Sequence, residues 1–213
     1  MSLLNIENLS FSYQKQAVID GLDLQIADGC RIGILGPSGC GKSTLLRLIA
    51  GLERPGAGLI ELDGRVISGT GWAPPYRRAV SMVFQTPALW SHLTVEETLK
   101  LVEPDAVRRR DMLEDLGIAA LGKRRPGQLS GGEAKRVAIA RALLRPHVLM
   151  LMDEPLTSLD REMKKEILAL ITGLTEVRES GLIYVTHDES ELPGLVDAVY
   201  RMSDGALYQS PMT

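Results

Sequence analysis

Residues 36–44 read Gly-Pro-Ser-Gly-Cys-Gly-Lys-Ser-Thr, an order of residue types suited to holding the phosphates of a nucleotide. Gly36, Gly41, Lys42 and Ser43 match Gly-x-x-x-x-Gly-Lys-Ser/Thr. Gly36, Gly39 and Gly41 let the backbone bend so that successive N–H groups converge on phosphate oxygens. The helix expected over Ser43 to Ala50 adds unpaired amides and the positive end of its dipole. Lys42 brings a point charge to the β- and γ-phosphates, Ser43 a hydroxyl for magnesium, and Thr44 a bond to a phosphate oxygen. Pro37, Ser38 and Cys40 complete the loop. An apolar stretch, Ile32 to Leu35, predicts the strand that must precede it, so an ordinary glycine turn does not explain the pattern.

Two acids follow a second apolar run. Val148 to Met152 predicts a strand buried on both faces of a parallel sheet. Asp153 at its carboxyl end can reach magnesium through water, and Glu154 can polarise a water aimed at the γ-phosphate. Pro155 also permits a helix start nearby, whose dipole an acid pair would complement. A further phosphate motif lies at Leu129 to Glu133, Leu-Ser-Gly-Gly-Glu. Ser130, Gly131 and Gly132 stand before a helix expected from Glu133 to about Leu144, which makes a second anion-binding helix start. One nucleotide needs only the first motif, so the second implies two copies of the chain with ATP between them.

In their order and approximate spacing these segments resemble the nucleotide-binding subunit of an ATP-binding cassette (ABC) transporter, importer-like, from the N-terminal strand to about Gly205. Gly36 to Thr44 matches its Walker A loop, Leu129 to Glu133 its signature, Val148 to Asp153 its Walker B strand, with Glu154 and His187 beyond. The resemblance implies an α/β fold: a P-loop NTPase core with a mostly parallel sheet, an antiparallel β edge and a small helical subdomain. It implies ATP and Mg2+ as cofactors, with Ser43, Gln85 and Asp153 at the metal and Glu154, His187 and Gln85 as catalytic residues. Gln85, after the apolar strand Val80 to Phe84, matches the Q-loop glutamine. His187, at the end of the strand Leu182 to Thr186, resembles the switch histidine that contacts the γ-phosphate.

Tyr13 matches the aromatic that stacks on adenine, with Phe11, two residues back on the same face, as the competing ring. Asp160 matches the D-loop aspartate at the subunit interface, although Ser158 and Asp160 would also serve as helix N-caps. In the family, Ser130, Gly131 and Gly132 of one subunit cover the ATP held by the other. Glu133 stands where many relatives have Gln, and Ala134 and Lys135 are less typical followers. The phosphate-facing atoms belong to 130–132.

Composition agrees with a soluble enzyme domain. The 213 residues are 45% hydrophobic with a net charge of -3, enough for one sizeable core and not the pattern of a nucleic-acid binder. No stretch reaches membrane-spanning length and no signal peptide is visible, so the expected location is the cytoplasm, peripheral on the cytoplasmic face of the cell membrane. Two cysteines and three scattered histidines make no metal or disulfide framework. Cys40, between two glycines and near Lys42 at a helix start, is in a setting that favours a thiolate; the alternative is an inert packed thiol.

The motifs organise the chain as a single ABC ATPase domain over 1–213. Residues 1–85 and 136–213 form the catalytic core with its β edge, where Asp28-Gly29 and Asp63-Gly64 signal turns, the latter after the hairpin strand Leu59 to Leu62. Residues 86–135, with amphipathic helices expected over Val95 to Leu101 and Ala106 to Leu116 and a stop at Gly117, form the helical subdomain with the signature. Gly69 to Pro75 is a local loop. The sequence ends at Thr213, so no C-terminal accessory domain is expected.

An ATP engine without a membrane segment implies partners: a second copy of itself, separate transmembrane permease subunits, and through them an extracytoplasmic solute-binding protein. No nucleic acid is implied. Thr86 to Thr94 resembles the importer pattern with an aromatic three residues beyond a proline; Trp90 fills that place, though Ser91 stands where proline is usual. Leu89 and Trp90 either form the groove for a membrane partner's helix or close the small subdomain's core. Import of a small solute is the favoured reading. Export stays open, because ATPases of lipoprotein and macrolide exporters are also short subunits and Glu133 suits them. A soluble non-transport ABC ATPase would need a coiled-coil insertion, a second cassette or a basic face. A P-loop kinase or GTPase would not explain Leu129 to Glu133, and an inactive cassette would lack Glu154 or His187.

Overall fold

The computed structural model describes residues 2–14, 16–157 and 159–210. Its first half opens with two long strands, β1 (Ser2–Tyr13) and β2 (Gln16–Ala27), paired antiparallel. With β4 (Ala57–Leu62) and β5 (Arg65–Ser68) they form a four-stranded sheet in the order β2-β1-β4-β5. The β4–β5 hairpin closes through Asp63 and Gly64, both left-handed at φ +49° and +68°, the conformation a tight hairpin turn requires. Alternation along β1 and β2 buries Leu4, Ile6, Leu22, Leu24 and Ile26 on one face.

The central sheet has six strands in the order β10-β9-β3-β8-β7-β6. β3 (Arg31–Leu35), β6 (Val80–Val83), β7 (Leu149–Asp153), β8 (Gly181–Val185) and β9 (Ala198–Ser203) run parallel, and β10 (Ala206–Ser210) returns antiparallel at one edge. Every residue of β7 and β8 is buried, as strands covered on both faces demand.

Two hydrophobic clusters sandwich this sheet. On one face Leu149, Leu151, Ile183 and Val185 meet α1 (Lys42–Ala50) and the four-stranded sheet. On the other, Met150, Met152, Leu182 and Tyr184 meet α4 (Gly131–Leu144) and α5 (Arg161–Arg178). The short helices α2 (Val95–Lys100) and α3 (Ala106–Asp115) pack with α4 in this second cluster. α3 ends before Gly117, which takes a left-handed φ of +62°. α4 starts at Gly131, two residues before its sequence-based start at Glu133, because Ser130 caps it there. It runs unbroken past residue 135, so the chain returns from the helical segment to the core along one helix.

Candidate nucleotide site

Four neighbouring strands of the central sheet, β3, β8, β7 and β6, end at the same carboxyl edge. Their successors are the glycine loop, His187, Glu154 and Gln85, so residues far apart in sequence lie in one row. This is the edge at which open parallel sheets gather ligands.

The loop wraps its own lysine. Lys42 is only 6% exposed, and its Nζ donates to the carbonyls of Gly36 and Pro37, each at 2.8 Å. Gly36 passes so close to β9 that an added Cβ would meet Met202 O at 2.3 Å, which excludes any larger residue. Gly41 caps α1 in a left-handed conformation with no side-chain hydrogen bond, leaving first-turn amides open to an anion. Thr44 is buried behind them, and Cys40 Sγ lies 3.7 Å from Lys42 Nζ.

Ser43 Oγ donates to Asp153 Oδ1 at 3.0 Å, joining the loop helix to the end of β7. Burial is the main force pushing the Asp153 carboxyl up; the Ser43 hydrogen bond opposes it and neighbouring Glu154 adds to it. A hydroxyl beside a buried carboxylate fits a hard divalent cation such as magnesium. Gln85 is exposed just beyond β6, and no hydrogen bond among the described residues joins it to Ser43 or Asp153.

Glu154 adopts a left-handed φ of +46°, unusual for a non-glycine residue. Its N–H donates to Val185 O on β8 at 2.9 Å, and its Oε2 lies 3.3 Å from His187 Nδ1. Thr157 Oγ1 donates to the Glu154 carbonyl at 3.1 Å. Lys135, which the sequence marks only as a less typical follower of Glu133 and gives no role, reaches the same turn from α4: its Nζ donates to Thr157 O at 2.7 Å and to Glu154 O at 3.3 Å. Its departure from the usual residue type was the only signal in the sequence.

Of the two candidate rings, Phe11 is 9% exposed and belongs to the core, while Tyr13 is 42% exposed and meets Phe11 nearly at a right angle, ring centroids 4.8 Å apart. The Tyr13 hydroxyl donates to Glu53 Oε1 at 3.3 Å, past the far end of α1 from the glycine loop. Asp160 caps α5 by accepting from the Met163 N–H at 2.9 Å; Ser158 lies outside the described residues. Leu89 packs into the helical cluster, whereas Trp90, 42% exposed, borders a cleft with Leu52, Met82 and Val102, its ring under the Arg141 guanidinium. Leu89 is therefore core and Trp90 is surface.

The signature segment is elsewhere. Ser130 Oγ accepts from the Glu133 N–H at 3.3 Å, and Glu133 Oε2 accepts from the Ser130 N–H at 2.7 Å, a reciprocal cap. These backbone and hydroxyl bonds hold the Glu133 carboxyl below its ordinary range. α1 and α4 cover opposite faces of the central sheet, and no hydrogen bond among the described residues joins 130–133 to the glycine loop.

Residues 19–157 match the family model described as ABC transporter, and the chain belongs to that family. It is 40% identical over 211 residues to the Fe(3+) ions import ATP-binding protein FbpC 2 of Rhodococcus jostii (strain RHA1), covering 97% of this chain and 61% of that protein. It is 37% identical over 216 residues to the Spermidine/putrescine import ATP-binding protein PotA of Nitratidesulfovibrio vulgaris (strain Hildenborough), covering 98% and 58%. The chain thus spans only part of the length of these relatives. A solved structure of a bacterial Atm1-family ABC exporter with ATP bound matches with a TM-score of 0.85 at 27% identity, over 96% of this chain and 38% of that one. The fold is the α/β fold of P-loop ABC ATPases. Among the described residues no helix is long and apolar enough to cross a membrane.

Proposed function

We propose that this chain binds and hydrolyses ATP as the nucleotide-binding subunit of an ABC transporter, importing a small solute and working as a pair. The observation that carries this is the row at the carboxyl edge, where an uncapped helix start, a Ser43–Asp153 pair and a Glu154–His187 pair stand side by side.

In this reading Lys42 exchanges its loop carbonyls for β- and γ-phosphate oxygens, while the amides of 39–44 hold the phosphates from the other side. Ser43 and Asp153 would hold magnesium, with Gln85 as a further ligand from its exposed position beyond β6. That ion, when bound, neutralises charge on the phosphate oxygens. Glu154 orients a water and accepts its proton, and His187 contacts the γ-phosphate from the adjacent strand end. Tyr13 stacks on adenine. Ser130, Gly131 and Gly132 cover the ATP of the second copy, with Asp160 at the interface.

Residues 86–135 act as a small helical subdomain, a reading supported by the packing of α2 and α3 with α4. The cleft beside Trp90 receives a helix from separate permease subunits, which place the chain on the cytoplasmic face and connect it to a solute-binding protein. Both relatives above carry import in their names, which favours import over export.

The test is phosphate release from MgATP by the purified chain, together with identification of the membrane protein that co-purifies with it. The expected results are turnover that stops when magnesium is chelated and a permease partner. A chain that retains ATP but never hydrolyses it, alone or with its membrane partner, contradicts the proposal.

A further inference from the structure

Lys135 sits in the second turn of α4, just past the Ser130–Gly132 segment, and its side chain leaves that helix for the turn after β7. It forms no ion pair among the described residues. Instead its ammonium donates to two carbonyls, Thr157 O at 2.7 Å and Glu154 O at 3.3 Å. Those carbonyls bracket a turn whose first residue is the left-handed Glu154. The N–H of Glu154 is held by Val185 O of β8. The two peptides flanking its Cα are therefore held, one from the sheet and the other from α4. Thr157 Oγ1, which donates to the Glu154 carbonyl and reaches Glu154 Oε2 at 3.4 Å, transfers that restraint to the carboxylate.

We propose that Lys135 is a positioning residue for Glu154, tying the orientation of that carboxylate to the helix that begins at Ser130. The proposal rests on the role given to Glu154 above. If Ser130 to Gly132 engage a partner's nucleotide, the tether connects that event to the carboxylate serving the chain's own nucleotide. A left-handed glutamate has a competing relaxed conformation, so removing one clamp lets the turn rotate and the carboxylate leave its water.

The experiment compares Lys135→Met, Lys135→Gln and Lys135→Arg in the full chain with its membrane partner. Methionine keeps the length and loses the donor; glutamine keeps a shorter polar end; arginine restores a cation with several donors. Measured are kcat and KM for MgATP, affinity for a fluorescent ATP analogue, and hydrogen exchange at residues 154–157. The expected result is a kcat roughly 10- to 100-fold lower in Lys135→Met with nucleotide affinity unchanged, faster exchange confined to 154–157, and recovery of most of the rate in Lys135→Arg. If Lys135→Met does not fold, Lys135→Gln must show the same split. An unaltered kcat, or a loss that falls equally on affinity and exchange throughout the chain, overturns the proposal. Absence of hydrolysis in the unsubstituted protein is a different failure, that of the proposed function itself.

Discussion

Helices α1 and α4 both start at glycine-bearing turns, yet they treat their first amides in opposite ways. At α1 the capping position is the left-handed Gly41, and no side chain bonds to the first turn. At α4, Ser130 and Glu133 cap each other reciprocally. An uncapped helix start leaves donors unpaired, which is tolerable where a ligand or water supplies the partner. A capping box stabilises the helix without any ligand. The start of α1 is therefore open within the chain. The start of α4 is satisfied in part, at the N–H groups of Ser130 and Glu133, and the amides of Gly131 and Gly132 are free of side-chain bonds among the described residues. The two helices pack on opposite faces of the sheet.

The largest expected effect is at the open site. Glu154→Gln keeps the shape of the side chain and loses the basic oxygen, so turnover should fall roughly 10²- to 10⁴-fold while ATP binding through Lys42 and the loop persists. With ATP and magnesium the variant should elute as a dimer on sizing. Only monomer, with hydrolysis at the normal rate, would sink the assignment.

Thiol chemistry probes the same loop. Cys40 lies near the amino end of α1 with its Sγ 3.7 Å from Lys42 Nζ, so alkylation should inactivate the enzyme and MgATP should protect it. Cys30, also half-buried but at the start of β3, is the internal control. Mass spectrometry of labelled peptides decides the matter: Cys40 labelled no faster than Cys30, or equally with and without MgATP, removes the idea.

At the capped site the effects are smaller. Ser130→Ala should lower the stability of the nucleotide-free chain by about 1 kcal/mol in denaturant unfolding, the usual value of an N-cap. No loss would mean that the reciprocal cap does not hold α4. The Glu133 carboxyl is held below its ordinary range chiefly by the Ser130 backbone N–H. Its folded pKa is the lower one, so its stabilisation is present above the unfolded value and is lost as pH falls through the folded value. Glu133→Gln should flatten that part of the stability–pH curve, by a modest amount because the group is exposed; an unchanged acid limb speaks against it.

The carboxyl edge was legible because each of its residues directly follows a short apolar run, and the end of a buried strand is a place sequence can mark. Asp63-Gly64 was legible for a similar reason, since few dipeptides accept two left-handed residues. The start of α4 was not, because glycine's low helix propensity hid the fact that Ser130 had already capped it. Phe11 and Tyr13 looked equivalent by alternation; an irregular register between Phe11 and Ser12 accompanies their different exposure. Lys135 stood out only as an unusual residue after Glu133, and its contacts were not legible, because its partners are backbone carbonyls 19 and 22 residues away that carry no residue type. Arg78 escaped for the same reason. It is buried, its pKa lowered to about 10 by desolvation, and it donates to the carbonyls of Leu48, Ile49, Ile67 and Ala73, locking the far end of α1.

In the proposed pair, the open site of one chain is completed by the capped site of another. Mixing variants tests it most directly: Ser130→Arg spoils the signature and Lys42→Ala the loop, so each alone should give an inactive pair. A heterodimer of the two holds one intact composite site, formed by the loop of the Ser130→Arg chain and the signature of the Lys42→Ala chain. MgATP hydrolysis is expected to return on mixing. A mixture as inactive as its parents, with heterodimer formation verified, would contradict it.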